Sequence, residues 1–353
     1  DVVSVPHDAS LTGFGTAITL EAWVKPENVV GRRGIVGKWN DLGSNDDRSY
    51  LLWMHGDEAR FYVSSTGADF PYAGTSSAFT VGEWTHLAGT FDGSVIRLYV
   101  DGVLAASQNF SGSIIDNTTD PLLIGANDGG GGSRKYFDGD IDEVRIFDRV
   151  LCEAEIQATM DCELIGTEPG LRVAYNFNQG IAGGDNTGLD SLVDNGPNGN
   201  NGTLMNMALN GFESNWSLQA DSVNGDCGIY TSPMLEVYGN NLAISNGQTL
   251  TSTSDSTEFG TIAIGSSNTN TFYIVNNGTD NLNISSTSLT GANPGEFSIV
   301  DLTGSVVAPN DSIALQVSFV PTVAVGAIAT VEIASDYCVA SIYDFDVSGG
   351  SQK

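Results

Sequence analysis

Short runs of alternating apolar and polar residues, each cut off by Gly, Pro, Asp or Asn, constrain this chain more than any other feature. Across residues 1–150 they read AITLEAWVKP, SYLLWMHG, ARFYVSS, WTHLAGTFD, VIRLYVDG, PLLIGAND and IDEVRIFD. A period of two puts successive side chains on opposite faces of a strand, and runs this short suit strands rather than helices. Asp-Gly recurs at 92–93, 101–102 and 138–139, a hairpin signal where strands flank it. FDGSVIRLYVDGVLAAS thus reads as two strands about a tight turn at Asp101–Gly102. One helix is expected, CEAEIQATM at 152–160, with acidic residues in the first turn where the helix dipole favours them.

At 353 residues the chain is long enough for about two domains. A further strand, LRVAYNF, begins at 171. The Asn/Gly/Asp-rich stretch DNTGLDSLVDNGPNGNNGTL follows, a loop either mobile or ordered by a cation. From about 236 a second strand-rich block appears, richer in Ser, Thr and Asn; FYIVNNGTDNLNIS places two strands about an NNGTD turn, and IALQVSFVP and ATVEIASD alternate cleanly. The reading is an all-β chain: a first sandwich over 1–216, a linker at 217–235 and a second sandwich over 236–353.

Charge narrows the function classes. Thirteen Lys and Arg face 43 Asp and Glu, a formal net charge of −30. Such a surface repels phosphate backbones and anionic membranes, so neither a nucleic acid nor a membrane surface is the expected partner. No apolar run approaches the roughly 20 residues of a membrane helix. The opening DVVSVP lacks a signal peptide, as in a mature, processed or truncated chain. The cysteines, Cys152, Cys162, Cys227 and Cys338, lack the paired spacing of a zinc site. An even count in an acidic, Gly/Asn-rich chain reads as disulfides formed in an oxidising, extracellular compartment. Of three connectivities, Cys152–Cys162 and Cys227–Cys338 keep each bond within one region, and the first requires the chain to turn back near Met160.

ITLEAWVKP (18–26), GEWTHLAGTFDGSVIRLYVDGVLAAS (82–107) and FDGDIDEVRIFDRVLCEAEI (137–156) together resemble the LamG-like jelly roll of the concanavalin A-type lectin and glucanase superfamily. DSTEFGTIAIGSSNTNTFYIVNNGTDNLNIS, EFSIV and LQVSFVP resemble the choice-of-anchor D type of immunoglobulin-like domain, which implies a spacer in a secreted or surface protein. The first resemblance implies a jelly roll, but its superfamily holds lectins, adhesive modules, pentraxins and glycosidases, so fold does not settle activity. LamG-like domains carry a strand before the segment that DVVSVPHD resembles. The edge at residues 1–5 is therefore expected to need cover, from another copy of the chain or from the 171–177 strand.

Carboxylates dominate the candidate chemistry. Asp138, Asp140 and Asp142 alternate and would share one strand face, with Glu143 opposite. Retaining glycosidases hold two carboxyls about 5–5.5 Å apart, which Asp140 and Asp142 could imitate. The resemblance places this strand at the end of the jelly roll, where such acids form rim or hydrogen-bonding positions. It also implies calcium in two loops, NDDRSY (45–50) and GANDGGGG (125–132), with Asp46, Asp47, Asn127 and Asp128 as ligands; Lys135 stands where the pentraxin branch has an amide. Trp39 and Tyr72, in loop-like surroundings, are the aromatic candidates for stacking on sugar. His7, His55 and His86 are the only histidines, and His86, alternating with Trp84, reads as a packed ring. No G-x-S-x-G elbow, P-loop or dinucleotide fingerprint occurs. The expected function is non-catalytic: a secreted or cell-surface module binding a glycan or an extracellular protein with help from Ca2+. Alternatives are a fibre or adhesin subunit and a glycoside hydrolase or lyase.

Overall fold

In Glu58–Val63 the alternation sends Ala59, Phe61 and Val63 into the core and leaves Glu58, Arg60 and Tyr62 on the other face. The same period recurs throughout a computed structural model that describes residues 1–41, 47–129, 133–211, 215–217, 223, 225–227, 233–324, 326–339 and 342–352. Contacts divide the chain into Asp1–Gly228 and Ile229–Lys353. The first unit thus extends into the stretch expected as a linker.

In chain order the first unit contains β1 (Val2–Val5), β2 (Ile18–Pro26), β3 (Arg32–Asn40), β4 (Asp47–His55), β5 (Glu58–Val63), β6 (Tyr72–Thr75), β7 (Thr85–Phe91), β8 (Val95–Val100), β9 (Val103–Asn109), β10 (Leu122–Ile124), β11 (Ala126–Gly129), β12 (Ser133–Tyr136), β13 (Gly139–Phe147), α1 (Glu153–Thr159), β14 (Leu171–Tyr175), β15 (Ser191–Leu192) and β16 (Gly202–Met205). One sheet has the order β15-β16-β1-β10-β3-β4-β5-β6, with β11 and β12 attached to β3; the other has the order β14-β13-β2-β7-β8-β9. Asp101 and Gly102 both take positive φ between β8 and β9, the conformation of a two-residue hairpin turn. Gly139, by contrast, opens β13 and makes no hairpin.

The sheets face each other across one apolar layer that includes Ile18, Leu20, Leu52, Met54, Leu87, Leu98, Val144 and Ile146. Phe61 of β5 lies directly on Gly89 of β7, where an added methyl group would come within 2.1 Å of the ring. The glycine therefore sets how closely the sheets approach. The outer face of the second sheet packs Ala88, Tyr99 and Phe147 under α1 and Ile156. Glu153 and Glu155 occupy the helix's first turn, and the Glu155 carboxylate accepts the Cys152 N–H at 3.0 Å.

Two expectations are corrected. The edge of β1 is covered by Gly202–Met205, with Val3 opposite Leu204, while Leu171–Tyr175 joins the other sheet beside β13. No second copy is required at this edge. Cys162 bonds Cys227 and not Cys152. The straight run of α1 separates Cys152 from Cys162, whereas Cys227 N–H donates to the Glu163 carbonyl at 2.7 Å and Glu163 N–H to the Gly225 carbonyl at 2.8 Å. None of the four cysteines is free.

The second unit contains β17 (Leu235–Gly239), β18 (Leu242–Ile244), β19 (Glu258–Ala263), β20 (Asn268–Asn276), β21 (Leu282–Thr290), β22 (Phe297–Ile299), β23 (Val306–Val307), β24 (Asp311–Phe319), β25 (Ala327–Ser335) and β26 (Ile342–Gln352). Two five-stranded sheets, β18-β17-β20-β24-β22 and β19-β26-β25-β21-β23, enclose its core. The NNGTD turn carries the chain from one sheet to the other, and Phe272 meets Phe345 across the gap at 5.1 Å.

Replacing Gly89 with Ala is expected to destabilise the first unit by about 1–3 kcal/mol through overpacking against Phe61. Chemical denaturation of Gly89→Ala and of Gly89→Ala/Phe61→Leu checks this, with the double variant recovering part of the loss.

Candidate functional site

The acidic segment that begins β13 forms one wall of a cleft in the first unit. Gly139 takes φ +145, and a Cβ there would lie 2.1 Å from the Lys25 carbonyl oxygen. The glycine lets β13 start hard against the end of β2, with Asp140 opposite Lys25 and Asp142 opposite Trp23. Asp138, Asp140 and Asp142 all line the cleft, as the alternation implies. Glu143 does not stand opposite them as expected. A bulge between Asp142 and Arg145 gives it φ +46, and its carboxylate meets Arg145 at 2.9 Å.

The cleft has a volume of about 620 Å³. Trp84, Phe137, Phe177 and Trp216 supply its aromatic surface, and Asn176, Asn178 and Asn215 its amides. Trp216 Nε1 donates to the Phe177 carbonyl at 3.0 Å, and its indole lies on Gly180. Asn178 donates to Glu163 at 2.7 Å and Asn176 to the same carboxylate at 3.3 Å. Each strand carboxylate is engaged by the protein. Asn28 donates to Asp138; Lys25 lies 3.4 Å from Asp140, which also accepts from the Ser217 hydroxyl at 3.2 Å; Asp142 accepts the Glu143 N–H at 2.9 Å.

The other expected site residues lie elsewhere. Trp39 is on β3, not in a loop, and is 6% exposed; its ring packs against Tyr62 at 5.4 Å and its Nε1 donates to Asp41. Tyr72 is a half-buried residue of β6, 4.8 Å from the Tyr62 ring with the Arg60 guanidinium 4.5 Å from its centroid. The calcium loops do converge, since Asn40 pairs with Asp47 on one side and Asp128 on the other. Asp46 is outside the described residues. Asp128 is bound by Arg134 at 2.8 Å, and Asn127 lies opposite Lys135 across the β11–β12 hairpin. Asp120, nearby, accepts from Asn40 and Asn117, and its carbonyl from the buried Lys38. Of the expected calcium ligands, Asp128 is thus engaged by Arg134, while Asn127 Oδ1 is buried with no hydrogen-bond partner among the described residues. His86 is a packed ring, 1% exposed and 5.3 Å from Trp23.

Trp216, Phe177 and their amide neighbours were not anticipated. Their signal was faint: a single Trp in the polar run NGFESNWSL, and aromatics beside an Asn/Gly-rich stretch.

Behind the cleft a charge cluster is sealed from water. Arg145 is 1% exposed and donates to the carbonyls of Thr159 and Cys162 as well as to Glu143. Glu21, fully buried, lies 3.8 Å from the same guanidinium, and neither of its carboxylate oxygens has a hydrogen-bond partner among the described residues. Burial pushes both Glu21 and Glu143 up to about 7, against the pull of Arg145. Burial, with Arg145 adding to it, pushes His86 down to about 3.

Residues 1–157 match the model of the concanavalin A-like lectin/glucanases superfamily, and residues 249–343 that of the HYDIN/CFA65/VesB-like Ig-like domain. No curated protein matches the chain. Among solved structures, a Bacteroides ovatus protein classed as carbohydrate-binding is 18% identical with a TM-score of 0.45, over 57% of this chain and 55% of that one. The chain therefore spans about half the length of that relative. A Ruminococcus gnavus IT-sialidase CBM40 bound to α2,3 sialyllactose is 16% identical with a TM-score of 0.37, over 44% of this chain and 92% of that one. The SAP-like pentraxin of Limulus polyphemus is 15% identical with a TM-score of 0.34, over 44% and 73%.

The buried cluster makes stability depend on pH. Both glutamates hold protons in the folded state that the unfolded chain releases above about 4.5, so their contribution is full below that pH and is lost as pH rises through about 7. His86 acts oppositely, costing stability as pH falls from 6.5 towards 3. Glu21→Gln is expected to raise stability at pH 8 by about 1–3 kcal/mol, because one guanidinium then faces one carboxylate, with the gain fading by pH 5. Melting curves of both proteins across this range provide the check.

Proposed function

We propose that this member of the concanavalin A-like lectin/glucanase superfamily, whose jelly roll is followed by an immunoglobulin-like domain, binds a glycan without cleaving it. The observation that carries the reading is the cleft beside β13, where aromatic rings adjoin acceptors for sugar hydroxyls. Aromatic faces suit the apolar faces of pyranose rings, and a few convergent polar groups fix orientation. Retaining hydrolysis would need one carboxyl free as nucleophile and its partner protonated. Asp138, Asp140 and Asp142 each already serve an internal partner, which supports binding over bond-breaking.

Secretion is part of the proposal. The Cys162–Cys227 bond suits an oxidising compartment, and no helix among the described residues is long and apolar enough to cross a membrane. The fibre alternative loses one of its two motives, because β16 fills the edge that a second copy was expected to cover, and rests on the immunoglobulin-like spacer alone. Calcium, if bound at the two loops, would act at the rim and not in the cleft, and would have to displace Arg134 from Asp128.

On a glycan array the wild-type protein is expected to bind at least one oligosaccharide. Titration calorimetry with that sugar should show Trp216→Ala weakening affinity by about tenfold or more, with Tyr72→Ala close to wild type. Silence across a broad array, or undiminished binding by folded Trp216→Ala, overturns this assignment. Millimolar calcium is expected to leave the melting temperature unchanged; a rise of several degrees that Asp47→Asn abolishes would establish the two-loop site.

A further inference from the structure

Several side-chain donors around the cleft already serve acceptors of the protein itself. One amide N–H of Asn28 goes to Asp138, one each of Asn176 and Asn178 to Glu163 and one of Asn215 to Asp1, while the Ser217 hydroxyl goes to Asp140 and the Trp216 indole N–H to the Phe177 carbonyl. The indole Nε1 of Trp84 has no hydrogen-bond partner among the described residues, but it is buried. Among the described residues the one side-chain ammonium beside the cleft, that of Lys25, lies 3.4 Å from Asp140 and 5.8 Å from the Trp84 ring centroid. What remains for a ligand is a surplus of acceptors. Glu27, Asp138, Asp140 and Asp142 all line the cleft.

We infer that the cleft selects an uncharged saccharide and rejects anionic ones, with Asp140 as the residue that sets this preference. The inference rests on the glycan reading above and deepens it. A neutral sugar brings hydroxyl donors, which acceptor-rich walls satisfy. A uronic or sialic acid brings a carboxylate that meets the like charge of Glu27, Asp138, Asp140 and Asp142 in a partly desolvated space. Asp140 acts twice: its own charge repels an anion, and it engages the Lys25 ammonium that could otherwise receive one. Replacing Asp140 with Asn removes one of the four negative charges, weakens the hold on the Lys25 ammonium and adds an amide donor in a single step.

The test uses the full chain and paired probes that differ in charge: galactose and galacturonate oligomers, glucose and glucuronate oligomers, lactose and sialyllactose. Calorimetry at low salt is expected to show wild type binding a neutral series, with its anionic counterpart about tenfold or more weaker. Asp140→Asn should narrow that gap about tenfold. Asp57→Asn, the same charge change at the β4–β5 turn, should leave it unchanged and so separates the cleft from the general acidity of the chain. Should Asp140→Asn fail to fold, Glu27→Gln, at an exposed position on the cleft rim, should narrow the gap in the same direction. Wild type binding an anionic probe as tightly as its neutral partner overturns the inference and leaves glycan binding intact. Folded variants with an unchanged gap also overturn it. No binding in either series removes both readings.

Discussion

One guanidinium, that of Arg145, ties together several elements of the first unit. It stands on β13 just past the bulge, shielded from water, and draws together Glu143, Glu21 and the carbonyls of Thr159 and Cys162. Those carbonyls belong to the end of α1 and to the half-cystine that bonds Cys227. The cover of the outer sheet face, the crosslink and the strand that presents Asp138, Asp140 and Asp142 thus share one anchor. Two buried carboxylates beside one buried cation cannot both be ionised cheaply. The folded state therefore retains protons that an exposed pair would release, and the geometry behind the cleft is coupled to pH.

The cleft shows how a binding surface differs from a catalytic one built of the same residue types. Alternating aspartates on a jelly-roll strand are compatible with hydrolysis until their partners are known. Here an amide, an ammonium and a backbone N–H engage them. The partners turn potential acids and bases into fixed acceptors beside Trp216 and Phe177. Carboxylates and carbonyls are likewise engaged near the β3–β4 and β11–β12 segments, where Arg134 pairs with Asp128, Arg48 with Asp41 and Lys38 with the Asp120 carbonyl.

Much of the fold was legible from spacing alone. The alternation in EARFYV, the Asp101–Gly102 turn and the acid-led helix after Cys152 are local matters of period, turn chemistry and dipole, and each appears where it was expected. The shared face of Asp138, Asp140 and Asp142 was legible in their alternation, but the cleft it lines was not. Trp216 was not, because a tryptophan in a Gly/Asn-rich run carries no periodic context; only its donation to the Phe177 carbonyl and its seat on Gly180 give it a place. Trp39 misled for the converse reason, since the polar residues after it suggested a loop while β3 continues through Asn40 and Tyr62 covers the ring.

By itself, then, the order of residues determined which segments extend, where they turn and that two β-sandwiches follow one another, because those properties depend on neighbours a few positions apart. Only the tertiary structure decided that Gly202–Met205 borders β1, that Cys162 selects Cys227, and that Arg134 and Lys25 neutralise carboxylates otherwise free for a metal or a reaction. Each of these is a choice among several chemically equivalent partners. The choice is made by which groups the packed sheets bring within bonding distance, a fact that no local pattern encodes.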